Sequence, residues 1–313
     1  MLRGDGLLVT GERTESGKVK RRVGFFRDLV DWPHSVRDGY ELGTVNTVAN
    51  CFLHRALLAT RALAAALGKS ADAAEFALTA KRLARAVRAK LLDPATGLFV
   101  DSEGSAHSSL HANMHAVCAE VATTPEITAF LSAKGMVCGP WSSQFLLDAL
   151  YLGGDEARAL ELMTTESEPG WLDMLAHGAT ITMECWCNRL KPNQDWNHAW
   201  STAPLNVIAR RVMGVSPAAP GFRRALVRPR PGPLAAASIT LPTVRGELKL
   251  AFAVDGREMQ VTLDVPACME ADAVLPPTLA GKAAKKLHVD GKLRPGMSAP
   301  RLAPGHHELA LRS

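Results

Sequence analysis

The sequence predicts a mainly helical domain followed by a small antiparallel β-sandwich. Three features of the 313-residue chain carry that reading. Apolar residues recur every three or four positions from about Thr44 to Gly214, five prolines between Pro217 and Pro233 then interrupt any helix, and strict apolar alternation begins at Leu248. The expected division is residues 1–216 and 217–313.

The first helix is expected over Thr44 to Leu67, with Val45, Val48, Phe52, Leu53, Ala56, Leu57 and Leu63 as its apolar face and Gly68 as its stop. Ser70 can cap a second helix whose buried stripe is Ala77, Ala80, Leu83, Ala84, Val87 and Leu91, ended by Asp93-Pro94. The connecting loop is short enough to force an antiparallel pair. Further helices read from Ser109 to Val121, Pro125 to Ala133, Ser142 to Leu152, Asp155 to Thr164, Gly170 to His177 and Ala199 to Met213, giving eight in all. Between them lie tryptophan-rich loops, Asp31-Trp32-Pro33, Gly139-Pro140-Trp141 and the stretch Gly178 to Trp200. Beyond the prolines, Leu248, Leu250, Phe252 and Val254 share one strand face, Asp255-Gly256 turns the chain, and Met259, Val261, Leu263 and Val265 alternate on the return. A second Asp-Gly turn at Asp290-Gly291 and the alternation from His307 to Leu311 complete the β region.

Composition bounds the function. Hydrophobic residues make up 47% and charged residues 21%, with no long uncharged apolar run, so a folded domain without a membrane span is expected. The net charge of +5 is modest, and its densest basic run, Lys18 to Arg22, carries no interleaved aromatics, which argues for a solvated segment rather than a nucleic-acid contact. Six scattered cysteines form neither a disulfide framework nor a CxxC pair, so reduced thiols in a cytoplasm are expected. Neither a phosphate-binding loop nor a nucleotide fingerprint occurs, and no cofactor is expected. His107, His111 and His115 are spaced by four, but no HExxH-like arrangement accompanies them and metal binding is not expected.

Chemistry concentrates in Gly178-Ala-Thr-Ile-Thr-Met-Glu184-Cys-Trp186 and in Lys191-Pro-Asn-Gln-Asp195-Trp196-Asn-His198-Ala-Trp200. A carboxylate flanked by indoles suits a sugar pocket, because tryptophan packs on apolar ring faces while polar groups bind hydroxyls. All six tryptophans precede residue 201.

The segments GATITMECW, KPNQDWNHAWSTAP and RRVMGVSPAAPGF resemble the end of the catalytic domain in bacterial α-L-rhamnosidases of the six-hairpin glycosidase type. Upstream, LVDWPHSVRDGYELGTVNTVANCF, SSLHANMHA and GMVCGPWSSQFLLDALY resemble the same family in the same order, so the likeness runs from about Phe25 to the C-terminal strands. It implies part of an (α/α)6 toroid followed by the β-sandwich, and inverting hydrolysis of terminal α-L-rhamnosides. By resemblance, Glu184 matches the general base, Trp32 a residue stacking beneath the sugar and His198 a pocket histidine. Asp31, Asp38, His111 and Trp186 lie in or beside the matched motifs and are carried over as substrate-binding candidates.

The family's general acid belongs to an Asp-Cys-Pro-x-Arg-x-Glu-Arg-type segment, which this sequence lacks. Eight helices also fall short of six hairpins, so the chain is expected to be a truncated part of the catalytic domain. Glu41, Asp38 and Asp195 are the candidates for a recruited acid, by their nearness to matched motifs. The expected partners are a rhamnose-containing glycoside and either an N-terminal companion chain or further copies of this chain. Two other readings stay open: a non-catalytic carbohydrate-binding or subunit-completing fragment, and a different six-hairpin enzyme such as a glucosidase or trehalase relative.

Overall fold

The computed structural model describes residues 2–13, 19–21, 30–279, 281–295 and 301–313. Lys18 and Arg22 of the basic run, and the start of the family-like stretch at Phe25, lie outside them. The chain divides into two compact units, Met1–Ala203 and Pro204–Ser313.

The first unit opens with a short antiparallel pair, β1 (Gly11–Arg13) and β2 (Val19–Arg21). Helices follow: α1 (Thr47–Ala66), α2 (Ser70–Leu91), α3 (Leu110–Cys118), α4 (Pro125–Lys134), α5 (Pro140–Gly153), α6 (Glu156–Met163) and α7 (Trp171–Ala176). Their starts obey local chemistry. Asn46, Ser109, Thr124 and Asp155 each accept a hydrogen bond from a backbone amide in the first turn of the helix they precede.

Several expectations are corrected. Ser70 sits inside α2, and Lys69 precedes the helix without a side-chain cap, because the turn through Gly68 at φ +72° delivers the chain one residue earlier. Pro140 and Trp141 belong to the first turn of α5, where a proline's missing N–H removes no hydrogen bond, and Gly139 is the residue before it. The last helical stretch breaks into a 3-10 turn over Ala199–Ser201, the short helix α8 (Ala203–Val207) and a π turn over Ile208–Val212. Pro204 lies where a continuous helix would need its amide.

Helix α2 buries Ala80, Leu83, Ala84, Val87 and Leu91 as its stripe predicts, with Ala77 half-buried. Helix α1 departs from expectation: Val48 and Cys51 are buried, but Leu63 is 65% exposed, and Leu67 and, on α2, Leu78 are also open. The antiparallel α1–α2 pair covers one stripe of each helix, and no described element covers these leucines.

The second unit contains α8 and strands β3 (Val215–Pro217), β4 (Arg224–Val227), β5 (Ala236–Thr243), β6 (Gly246–Asp255), β7 (Glu258–Val265), β8 (Glu270–Ala273), β9 (Thr278–Leu279), β10 (Lys282–Ala283), β11 (Lys286–Val289), β12 (Lys292–Arg294), β13 (Arg301–Leu302) and β14 (Gly305–Arg312). One sheet has six antiparallel strands in the order β12-β11-β14-β7-β6-β5. A second has the order β13-β8-β4-β3, and β9 pairs with β10 alone. The expectation of a wholly antiparallel region is corrected here, since β4 and β8 pair in parallel. The long excursion through β5, β6 and β7 supplies the crossover that a parallel pair requires.

Alternation sets the core. Leu250 faces Leu263 and Phe252 faces Val261 across β6–β7, while Leu309 and Leu311 of β14 face Val261 and Met259. All seven are buried, together with Leu287 and Val289 of β11, and each such side chain contributes about 1.5–3 kcal/mol of burial. The β6–β7 turn is Gly256-Arg257 rather than Asp255-Gly256, because Asp255 still pairs with Glu258. The β11–β12 turn is Asp290-Gly291 as expected, with both residues at positive φ, 51° and 74°.

Replacing Leu250 by alanine is expected to cost about 2–5 kcal/mol in the unfolding of this unit, whereas exposed Leu293→Ala stays within about 0.5 kcal/mol. Urea titration followed by circular dichroism separates the two. Equal effects would refute this assignment of the sheet's inner face.

Candidate active site

The site is built on loops, and one buried carboxylate ties them together. Asp31 is fully buried, and its Oδ2 accepts hydrogen bonds from His111 Nε2 and the Gly139 amide, each at 2.7 Å. Its Oδ1 accepts from the Trp32 amide at 2.8 Å, and its own carbonyl accepts from Arg37 Nε at 2.7 Å. The Asp-Trp-Pro loop is thereby fixed to α3 and to the start of α5. Glycine is required at 139: a Cβ there would fall 2.8 Å from Asp31 Oδ1 and from the Trp32 carbonyl.

Asp38 extends the anchorage, its Oδ2 accepting from the Leu110 amide and its Oδ1 pairing with Lys134 Nζ at 2.8 Å. That carboxylate therefore meets the positive end of α3 as well as an ammonium.

Cys138 carries the connection onward. Its carbonyl accepts from Trp186 Nε1 at 2.6 Å, and the Trp186 indole meets Trp171 edge-on at 5.0 Å. Trp171 Nε1 donates to the Ser201 carbonyl, and Ser201 Oγ donates to the Met183 carbonyl. This chain of contacts grips both sides of Glu184.

Glu184 itself is 9% exposed. Its amide donates to the Asp195 carbonyl at 2.8 Å, and its carbonyl accepts from Trp200 Nε1 at 3.0 Å. The Asp195 amide, 3.1 Å away, and Lys191 Nζ, 2.9 Å away, both engage Oε2. Oε1 has no protein partner among the described residues. Burial pushes the carboxyl's pKa upward, yet the Lys191 hydrogen bond, the Asp195 amide and the charges of Lys191 and His198 together hold it below the usual carboxylate value. The group is therefore ionised near neutrality and has one oxygen able to accept a proton.

The six residues carried over beside Glu184 divide into two sets. Trp32 is 42% exposed, and His198 is half-buried, stacked on Trp200 at 4.2 Å with planes 19° apart. Asp31, His111 and Trp186 are buried, and the Asp31 oxygens, His111 Nε2 and the Trp186 indole N–H are committed to protein partners. Asp38 is likewise engaged. These four brace loops and leave no free polar edge for a ligand, apart from His111 Nδ1, which is itself buried and unpartnered.

Of the candidate acids, Glu41 accepts from Ser105 Oγ at 2.6 Å, while Asp195 is exposed and joined to Glu184 through its backbone. The three spaced histidines go to separate places: His107 to Asp101 at 2.6 Å, His111 to Asp31, and His115 between Phe52 and Phe145, where burial lowers its pKa well below the ordinary value.

Lys191 is the neighbour of Glu184 that sequence reasoning left without a role. Gln194 is a second, since its Oε1 accepts from the Cys185 amide at 2.8 Å and its Nε2 donates to Asn188. Both lie in a loop, where no periodicity marks which side chain turns back.

Residues 12–212 match the model described as the bacterial alpha-L-rhamnosidase six-hairpin glycosidase domain, and residues 214–289 match the bacterial alpha-L-rhamnosidase C-terminal domain. The chain belongs to this family. A curated alpha-L-rhamnosidase from Alteromonas sp. (strain LOR) is 24% identical over 278 residues, covering 83% of this chain and 30% of that protein. The chain thus spans less than a third of that relative.

Among solved structures, alpha-L-rhamnosidase from Dictyoglumus thermophilum aligns with a TM-score of 0.71 at 17% identity over 84% of this chain and 31% of that one. The Streptomyces avermitilis alpha-L-rhamnosidase complexed with L-rhamnose gives 0.71 at 17% identity, covering 90% and 28% of the two chains. The GH78 family rhamnosidase of Bacillus sp. GL1 gives 0.69 at 24% identity, covering 90% and 29%. At such identities the likeness is one of fold, a helical domain followed by a β domain rich in antiparallel pairs. The family places the chain among glycoside hydrolase-like proteins.

Replacing Asp31 by alanine strands buried donors from two helices and a loop, and is expected to cost on the order of 3–5 kcal/mol. A thermal midpoint unchanged from the parent would refute its anchoring role.

Lys191→Met is expected to raise the Glu184 pKa, since burial then acts with less opposition. A carbon-detected NMR titration of the side-chain carboxyls reads the shift. The sign for stability follows: with its pKa lowered by folding, Glu184 contributes stability above its unfolded-state value, and that contribution is lost as pH falls through the folded value. In the variant the contribution shrinks and its loss begins at higher pH.

Proposed function

We propose that this chain is the base-bearing part of an inverting α-L-rhamnosidase, with Glu184 as general base. The observation that carries the reading is the unequal use of the Glu184 oxygens: Oε2 is held by Lys191 and the Asp195 amide, and Oε1 is left to accept a proton. In this reading Oε1 takes a proton from a water molecule as that water attacks the anomeric carbon. The leaving glycosidic oxygen departs from the opposite face, protonated by an acid roughly 6.5–9.5 Å from the base. Trp32 stacks against the sugar's apolar face and His198 hydrogen-bonds its hydroxyls. Asp31, Asp38, His111 and Trp186 hold the loops that present them.

The acid is proposed to come from residues outside this sequence. Supporting that, Asp38 and Glu41 are each engaged by protein partners, and the chain covers only 30% of the curated relative. The helices would form part of an (α/α)6 toroid and the β strands a sandwich, as the antiparallel α1–α2 pair and the single buried face of each sheet support. The exposed leucines Leu63, Leu67 and Leu78 suit a helix face that a companion segment or another copy covers.

The test is hydrolysis of p-nitrophenyl α-L-rhamnopyranoside by the purified chain, alone and mixed with the protein encoded immediately upstream. Turnover only in the mixture, lost with Glu184→Gln, is the expected result. Turnover by the chain alone, unaffected by Glu184→Gln, would overturn the assignment.

A further inference from the structure

On the outward face of the six-stranded sheet, β11, β14 and β7 line a half-open hollow of about 330 Å³. Its origin lies in the register. Ala310 of β14 stands opposite His288 on β11 and Gln260 on β7, so a one-carbon side chain separates two long polar ones. Neighbouring strands are about 4.8 Å apart, which leaves roughly 10 Å between the backbones of His288 and Gln260. Two cross-strand pairs close the ends: Arg312 opposite Glu258, bonded at 3.0 Å, and Glu308 opposite Thr262. Ala310 is thus the floor of a small open hollow with six polar side chains around it.

Those side chains are partly uncommitted. His288 and Thr262 make no side-chain hydrogen bond within the protein among the described residues. Gln260 uses only Nε2, in a long 3.4 Å contact to Glu258, so its carbonyl oxygen is available. The lining therefore offers donors and acceptors on every side.

We infer that this hollow is a binding site for a neutral monosaccharide, distinct from the Glu184 loops and in the other unit of the chain. Its size is at the low end of small-molecule sites and suits one sugar ring. Glu258 and Glu308 set two carboxylates against the Arg312 guanidinium, leaving no fixed positive surplus to hold a phosphate. No Phe, Tyr or Trp lines the hollow, and the His288 imidazole is the one ring there, which leaves little platform for a nucleobase or flat aglycone. A ring carrying several hydroxyls is the ligand whose alternating donors and acceptors match the six groups, with its C–H face on Ala310. Binding should be weak, with a Kd on the order of 1 mM, because no indole or phenyl face adds to the hydrogen bonds.

The experiment is an amide NMR titration of the full chain with L-rhamnose, D-glucose and, separately, inorganic phosphate. At least one sugar should shift the amides of Gln260, Thr262, Gly291 and Ala310, and phosphate should leave them unmoved. Ala310→Val fills the floor with a residue that strands favour, and Gln260→Ala removes one wall. Each is expected to weaken the response at least tenfold while the rest of the spectrum keeps its dispersion. No shift with either sugar, a response to phosphate, or shifts that survive both variants would overturn the site. None of these outcomes depends on hydrolysis, so the reading of Glu184 stands or falls separately.

Discussion

The helical unit depends on a buried aspartate with three hydrogen bonds. Asp31 joins the loop that carries Trp32, the side of α3 at His111 and the first turn of α5 at Gly139. Removing a carboxylate from water is costly unless each oxygen is satisfied, and here every donor comes from a different part of the chain. The constraint is mutual. Neither the loop nor the helices can shift without leaving a buried polar group unpaired.

From that anchor the order passes outward to the chemistry. Gly139 neighbours Cys138, whose carbonyl fixes Trp186, and Trp186 is two residues from Glu184. A carboxylate on a loop would ordinarily lose positional precision to loop motion. Here the loop is pinned on one side by indole hydrogen bonds and on the other by Lys191 and the Asp195 amide. The same contacts choose which oxygen is spent, so positioning and electrostatic tuning come from one set of groups.

Much of the fold was legible because it is periodic. The α2 stripe from Ala80 to Leu91 and the alternation from Leu248 to Val265 report burial directly, and the structure buries nearly all of those residues. Boundaries were less legible where a proline or glycine admits two registers, as at Ser70, Pro140 and Gly256. The site was legible only through its motifs. Glu184 was marked by its motif, but sequence does not tell an exposed tryptophan such as Trp32 from one such as Trp186 that closes a core. Lys191 was illegible for the same reason: its reach to Glu184 depends on how a loop folds back, which no spacing encodes.

The edges of the six-stranded sheet carry one more consequence. Its outer strands are β5, which contains Pro242, and β12, which is three residues long and bears Lys292 and Arg294. A proline offers no amide to a visiting strand, and short cationic edges repel one. Both borders are thus closed to sheet extension, while the leucines of α1 and α2 remain open. Self-association through this sheet's borders is therefore disfavoured, and the open helix faces are the alternative, without the intermolecular β signal that infrared spectroscopy detects in strand-linked aggregates.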